Sequence, residues 1–257
     1  MLEHQLIMCR SKRVLLNHTG SDGRLTVVSL LRFLQECAWY HAEALGFGLE
    51  RLAMDGLVWV LREQALHVTR FPAMGEEITI RTWPSRAERI LCHRDFLVLD
   101  NTGAEVARAT SAWFGLDLSS RRPHKAEFFF RPGWEAFPPA AFEAPLPELL
   151  KPQSPELTEI RTVRRSDLDA LGHVNNLRYV EWILDQCPPL MPDSSHSATL
   201  QIRYVRELML GESVQVVSAR VADGDMGIQV LRVDGGQEAC LARISYTSPP
   251  LAPATGG

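Results

Sequence analysis

The sequence predicts a tandem α+β fold, two copies of one long helix wrapped by an antiparallel sheet. Three observations carry the prediction. The order short strand, helix, then strand-like runs occurs twice along the 257 residues. The stretch Arg70-Phe71-Pro72-Ala73-Met74-Gly75-Glu76 matches Arg206-Glu207-Leu208-Met209-Leu210-Gly211-Glu212 at an offset of 136, and Ala107-Arg108 matches Ala242-Arg243 at nearly the same offset. Eight of the sixteen prolines fall between residues 123 and 155, separating the copies. Proline at that density sustains neither a helix nor a central strand. The expected division is a first unit at 1–120, a linker at 121–157 and a second unit at 158–257.

In the first unit a short strand is expected at Arg13–Leu16. A helix follows from Val27 to Gly46, where Leu30, Leu31, Leu34, Ala38, Ala42 and Leu45 recur at three and four residues and a glycine ends the run. Leu57–Thr69, Glu77–Pro84, His93–Leu99 and Ala104–Leu116 are rich in β-formers, and Asp100-Asn101-Thr102-Gly103 reads as a hairpin turn. The linker carries Phe128, Phe129, Phe130, Trp134 and Phe137, so it is expected to pack on a surface rather than hang free. The second unit repeats the order. A strand at Thr158–Arg165 precedes a helix at Val174–Cys187 that ends at Pro188-Pro189. Strands follow at Ala198–Val205, Ser213–Ala222, Gly227–Val233 and Ala239–Tyr246, with Asp234-Gly235-Gly236 as a turn. One helix wrapped by an antiparallel sheet is the hot-dog arrangement, so the expectation is a double hot-dog whose halves share one body.

Composition narrows the function. With 46% hydrophobic and 23% charged residues, the chain has the makeup of a globular protein with a full core. Its net charge of -4 disfavours nucleic acid as a partner, while leaving room for a local basic patch. Cys9, Cys37, Cys92, Cys187 and Cys240 are single and odd in number, which argues against a disulfide framework and against a structural zinc site. No secretory leader is read at the N-terminus, and no apolar run approaches the roughly 18 residues of a membrane span. The expected compartment is the reducing cytoplasm.

Chemistry concentrates in Ser166-Asp167-Leu168-Asp169-Ala170-Leu171-Gly172-His173-Val174-Asn175-Asn176, between a predicted strand and a predicted helix. Gly172 and Val174 are expected to offer free N–H groups at the helix start, a ready site for an oxyanion. Asp169 is placed to orient water or attack a carbonyl, and His173 to move protons near neutral pH. Asp169 and Asn175 suit a plain turn and helix cap equally well. No second His or Cys stands at metal-ligand spacing, so no metal is expected.

The segment resembles the plant and bacterial acyl-acyl carrier protein thioesterases, whose motif runs approximately D-L-D-x-N-x-H-V-N-N-x-x-Y, followed later by Y-x-R-E-C. Here it reads Asp167 to Tyr179, then Tyr204-Val205-Arg206-Glu207-Leu208. The first unit is similar to the same family at Leu34-Gln35-Glu36-Cys37-Ala38, Val58–Arg62, Arg70-Phe71-Pro72, Thr82-Trp83 and Arg108–Trp113. The resemblance implies a double hot-dog that hydrolyses acyl-acyl carrier protein to free fatty acid, without a cofactor, using Asp169, His173 and Glu207. It implies that Trp59, Asn175 and Asn176 meet the substrate, and that the first unit supplies the acyl pocket, with Trp59, Leu61, Trp83 and Trp113 as candidates to line or support it, plain core packing being the other reading of each. Glu36, a helix carboxylate, ranks below Asp169.

The family's Asn position is Leu171 here, and the position of the Cys once proposed as nucleophile is Leu208, which excludes Cys–His chemistry there. The first unit has Phe71 where the second has Glu207, and Gly20–Arg24 lacks a His, so one full site is expected. The carrier protein is acidic. Basic clusters at Arg10/Lys12/Arg13, at Arg121/Arg122/Lys125 and at Arg161/Arg164/Arg165 are candidate docking points, with Arg164 and Arg165 favoured. Two alternatives stand beside this reading: an acyl-coenzyme A thioesterase, and an acyl-binding protein that has lost hydrolysis through Leu171. A homodimer of the whole chain is a further association to test, since the two units already pair internally.

Overall fold

The computed structural model describes residues 6–131, 134, 140–142, 145–187, 197–221 and 225–247. Phe137, Pro188, Pro189 and Ala222, named above, lie outside them, as do Pro132, Pro138 and Pro139 of the proline-rich stretch. All the strands among the described residues join one sheet. Five belong to the first unit: β1 (Met8–Arg13), β2 (Leu57–Val68), β3 (Glu77–Glu88), β4 (Leu91–Leu99) and β5 (Glu105–Asp117). The second unit supplies β6 (Leu157–Thr162), β7 (Ser197–Tyr204), β8 (Ser213–Arg220), β9 (Met226–Arg232) and β10 (Glu238–Thr247). The order is β1-β3-β4-β5-β2-β7-β10-β9-β8-β6, antiparallel throughout, and the units meet where β2 pairs with β7.

Helix α1 (Val27–Ala44) starts at Thr26, whose hydroxyl accepts the Ser29 N–H, and stops where Gly46 turns left-handed at φ 81. Its apolar stripe, Leu30, Leu31, Leu34, Cys37 and Ala38, is buried as the sequence pattern requires. A short α2 (Leu49–Met54), not expected from the sequence, follows it. Helix α3 (Asn176–Asp185) buries Leu177, Val180 and Ile183 against the same face of the sheet, touches α1, and shares one continuous hydrophobic core with it. No helix among the described residues is long and apolar enough to cross a membrane.

The repeated heptapeptide is a turn. Gly75 (φ 90) and Gly211 (φ 83) take the left-handed conformation that glycine permits, and their N–H groups donate to Val14 O (2.8 Å) and Val163 O (3.0 Å). Each ties the end of an edge strand to the sheet. Upstream the equivalence shifts: the bridge Thr19–Leu25 matches Leu168–Val174 at an offset of 149 rather than 136. The shift reflects an α1 of 18 residues against 10 for α3, together with the added α2.

Both edge strands differ from the sequence reading. The strand expected at Arg13–Leu16 ends at Arg13, and residues 16–18 form a 3-10 turn. That expected at Thr158–Arg165 stops at Thr162, before a second 3-10 turn at Arg165–Asp167. Strand β3 runs past Pro84 to Glu88, because a register shift between Pro84 and Arg86 absorbs the missing donor.

Of the linker's aromatic residues Phe129 and Trp134 are buried and pack as expected, whereas Phe128 is exposed. Phe129 lies against Gly115, where an added Cβ would come within 2.1 Å of the ring. Further on, the linker crosses the sheet face turned away from the helices. Arg108 Nη1 donates to Ala141 O (3.2 Å) and Arg243 Nη1 to Glu148 O (2.9 Å), so the matched arginines of the two units hold the same strap. Asp95 accepts the Ala141 N–H (2.9 Å), and Gln201 Nε2 donates to Pro147 O (3.1 Å).

Candidate active site

Strands β2 and β7 pair from Val68–Ala198 up to Glu63–Arg203, and there they part. The register of β2 against β5 also shifts between Leu61 and Glu63, a bulge at Arg62. Bulges re-aim side chains beside functional sites. Here Arg62 Nη1 donates to Tyr204 O (2.7 Å). Beyond this point a cleft of about 470 Å³ opens between the units. Trp59, Leu61 and Trp113, which share one face of β2 and β5, line it together with Asp169, His173, Asn176 and Glu207.

The polar side is built by local pairing. Asp169 N donates to His173 O (2.8 Å) and Gly172 N to Asp169 O (3.1 Å), closing a tight turn with Gly172 at φ 80. Asp169 Oδ1 accepts the N–H groups of Leu171 (2.8 Å) and His173 (3.3 Å), an Asx-type turn. His173 then bridges to Met209, which brings Glu207 alongside. Glu207 Oε2 stands 3.4 Å from His173 Nε2 and 3.4 Å from Arg121 Nη2, while Arg232 Nη2 holds the Glu207 carbonyl at 2.8 Å. Tyr204 OH donates to Asn176 O (3.2 Å) and accepts from Gln64 Nε2 (2.7 Å). Burial pushes the Tyr204 phenol well above its ordinary range, so it stays protonated.

Of the expected site residues, Asp169, His173, Glu207, Trp59 and Asn176 meet at the cleft, joined by Leu61 and Trp113. Four expectations are corrected. Gly172 and Val174 are not free oxyanion donors: Gly172 N is used by Asp169 O, and Val174 N donates to Leu208 O at 2.9 Å. The helix therefore begins at Asn176 and not at Val174, because residues 173 and 174 stay extended in β-bridges. Asn175 is the cap, its side chain accepting the Leu177 N–H (2.9 Å), and it does not line the cleft. Trp83 is buried in β3 away from the cleft.

Arg164 and Arg165 are exposed on the 3-10 turn just upstream of Asp169, outside the cleft wall. Leu171 sits in the wall, 60% exposed, whereas Leu208 is fully buried packing. Arg62 and Tyr204 stand in the family-like stretches Val58–Arg62 and Tyr204–Leu208 but drew no role from the sequence, and Arg232 was missed, since its reach to Glu207 O depends on distant strand pairing. Among the described residues no three His, Cys, Asp or Glu side chains gather to hold a metal.

The first unit keeps the same turn without its chemistry. Gly20 N donates to Arg24 O (2.9 Å), Gly23 N to Gly20 O (3.0 Å) and Leu25 N to Pro72 O (2.8 Å), bond for bond as around Asp169. Gly20, Arg24 and Phe71 thus stand where Asp169, His173 and Glu207 stand in the second unit.

Two half-folds on one sheet, with a single set of acid–base groups at their junction, define a double hot-dog protein. Comparison with known families agrees. The acyl-ACP thioesterase N-terminal domain matches residues 8–128, and the acyl-ACP thioesterase C-terminal domain matches residues 151–248. The chain belongs to the acyl-ACP thioesterase family. It is 27% identical over 244 residues, 88% of its length, to the chloroplastic palmitoyl-acyl carrier protein thioesterase of Cuphea hookeriana, of which it spans 59%. The crystal structure of an acyl-ACP thioesterase from Bacteroides thetaiotaomicron superposes with a TM-score of 0.84 at 27% identity, covering 96% of this chain and 100% of that one. The 12:0-ACP thioesterase from Umbellularia californica shares the fold, with a TM-score of 0.79 at 24% identity over 95% of this chain and 98% of that one.

Proposed function

We propose that the protein hydrolyses the thioester of acyl-acyl carrier protein, releasing a free fatty acid and the carrier thiol. The observation that carries this reading is the pairing of Glu207 with His173, 3.4 Å apart, in a cleft that Trp59, Leu61 and Trp113 also line. A carboxylate and an imidazole beside an alkyl-lined cleft suit attack of water on an acyl group. Glu207 takes a proton from water as the water oxygen bonds to the thioester carbonyl carbon. The carbonyl oxygen becomes an oxyanion, and the Asn176 N–H, the first of α3, takes the role once expected of Gly172 and Val174. When the C–S bond breaks, the leaving thiolate receives a proton through His173. Asp169 holds the turn that presents His173, since its Oδ1 already accepts two N–H groups.

The carrier protein is the partner in this reading, steered by Arg164 and Arg165 beside the turn and by Arg121 at Glu207. Five cysteines without a disulfide support a reducing compartment such as the cytoplasm. The test is thiol release from a chain-length series of acyl-carrier proteins and the matching coenzyme A esters. Glu207→Gln is expected to lower kcat by about 100-fold or more. Arg164→Ala with Arg165→Ala is expected to raise KM for the carrier substrates alone. Equal effects on both ester classes would move the assignment to acyl-coenzyme A. No thiol release from any ester would refute hydrolysis.

A further inference from the structure

We propose that Tyr204 is the positioning residue for the oxyanion donor at Asn176, an inference that rests on the hydrolase reading above. Tyr204 ends β7 where β2 parts from it, and the first unit grips it twice. Arg62, at the bulge of β2, donates from Nη1 to Tyr204 O (2.7 Å). Gln64, on the same strand, donates from Nε2 to Tyr204 OH (2.7 Å), and the phenol donates onward to Asn176 O (3.2 Å). The Gln64 bond is the shorter and anchors the phenol, whose hydrogen then ties the start of α3.

The direction of these bonds decides the outcome. A phenol has one hydrogen to give. Gln64 offers an N–H, so it occupies a lone pair and leaves that hydrogen for Asn176 O. Tyr204 is buried, so little water competes for the bond.

Asn176 is the first residue of α3 and lines the cleft. The next two amides of the helix are taken: Leu177 N donates to Asn175 Oδ1 (2.9 Å) and Arg178 N to Asn175 O (2.8 Å). The Asn176 N–H precedes the first intrahelical bond. Holding the carbonyl of that residue fixes where its N–H points. A second tyrosine closes the frame. Tyr179 of α3 meets the Tyr204 ring edge-on, with centroids 5.6 Å apart, and its hydroxyl donates to Arg206 O (3.3 Å), just before Glu207. The two phenols thus hold the helix start and the proposed base in one arrangement, as attack of water and growth of the oxyanion require.

The experiment compares the unaltered protein with Tyr204→Phe and Gln64→Glu, by steady-state kinetics on acyl-carrier proteins and by the carbonyl-carbon resonance of Asn176. Tyr204→Phe keeps the ring and removes the hydroxyl. Gln64→Glu keeps the side chain's size and reverses the bond, so the phenol hydrogen turns to the carboxylate and Asn176 O is released. Loss of an oxyanion donor costs about 100- to 1,000-fold in kcat, and a displaced donor is expected to cost about tenfold or more with KM within about twofold. The Asn176 resonance is expected to move upfield in both variants. A phenol that only packs predicts that Gln64→Glu leaves kcat alone. If thermal melting shows Tyr204→Phe unfolded, Gln64→Glu makes the test with the ring in place. An unchanged kcat in a folded Tyr204→Phe, or a Gln64→Glu that keeps both its kcat and its Asn176 resonance, would overturn the inference. An unaltered protein that releases no thiol refutes the hydrolase reading, whereas activity untouched by both variants overturns this inference alone.

Discussion

Glu207 presents one carboxylate oxygen, Oε2, at 3.4 Å to both His173 and Arg121. The imidazole comes from the turn before α3, and the guanidinium comes from the first residue of the linker that joins the units. The proposed base therefore sits where the linker leaves β5, and its surroundings are assembled from both halves of the sequence.

Asp169 is expected to show two separable roles. Asp169→Asn keeps an oxygen that can accept the Leu171 and His173 N–H groups, so the turn should survive. Asp169→Ala removes that acceptor and should destabilise the fold by about 0.5–2 kcal/mol, the scale of a lost cap. Urea denaturation read beside thiol release separates the two. Equal stability in both variants would show that the Oδ1 bonds do not hold the turn.

Leu171, where the resemblance places an Asn, sits at the cleft wall and is 60% exposed. Leu171→Asn should leave stability within about 0.5 kcal/mol, as for a surface change. It should also raise kcat, because a polar side chain returns beside Asp169 and His173. An unchanged kcat would mean that the chemistry here does not need that amide.

Gly115 has no room for a side chain, since Phe129 fills the space where a Cβ would project. Phe129 also stacks 4.5 Å from Trp59, a cleft wall residue whose Nε1–H is held by Phe47 O (3.0 Å). Gly115→Ala should cost about 1–3 kcal/mol through overpacking. Phe129→Leu in the same chain should recover part of that loss. Additive losses in chemical denaturation would contradict the contact.

The cysteines should differ in reactivity. Burial pushes the thiols of Cys37 up to about 11 and of Cys92 and Cys187 up to about 12, and Cys240 well above its ordinary value. A raised thiol pKa leaves little thiolate at neutral pH, and thiolate is the reactive form. Cys9 is exposed. A chromogenic disulfide reagent at neutral pH should therefore titrate one thiol rapidly in the native protein and five after denaturation.

The sequence showed α1 and the central strands well, because a buried stripe or a pleat between two neighbours imposes a strict period. It placed β1 and β6 a few residues off, since an edge strand with both faces partly wet loses its alternation. The site motif from Asp169 to Asn176 was legible through its resemblance, and the structure joins it to Glu207 as expected. The oxyanion donors were misassigned for a different reason. Nothing local reveals that Leu208 O, 34 residues away, takes the Val174 N–H and delays the helix. Trp83 and Trp113 look alike in sequence, and only the parting of β2 from β7 decides which tryptophan meets the cleft.

The vestigial turn at Gly20–Arg24 fixes a stoichiometry. Both units keep the backbone of the turn, but only the second places a carboxylate and an imidazole at its two ends, Asp169 and His173, so the proposed chemistry has one centre per polypeptide despite the duplicated fold. In the proposed reading the first half is free of the demands of the chemistry, so the duplication separates, within one chain, the reaction from the choice of substrate.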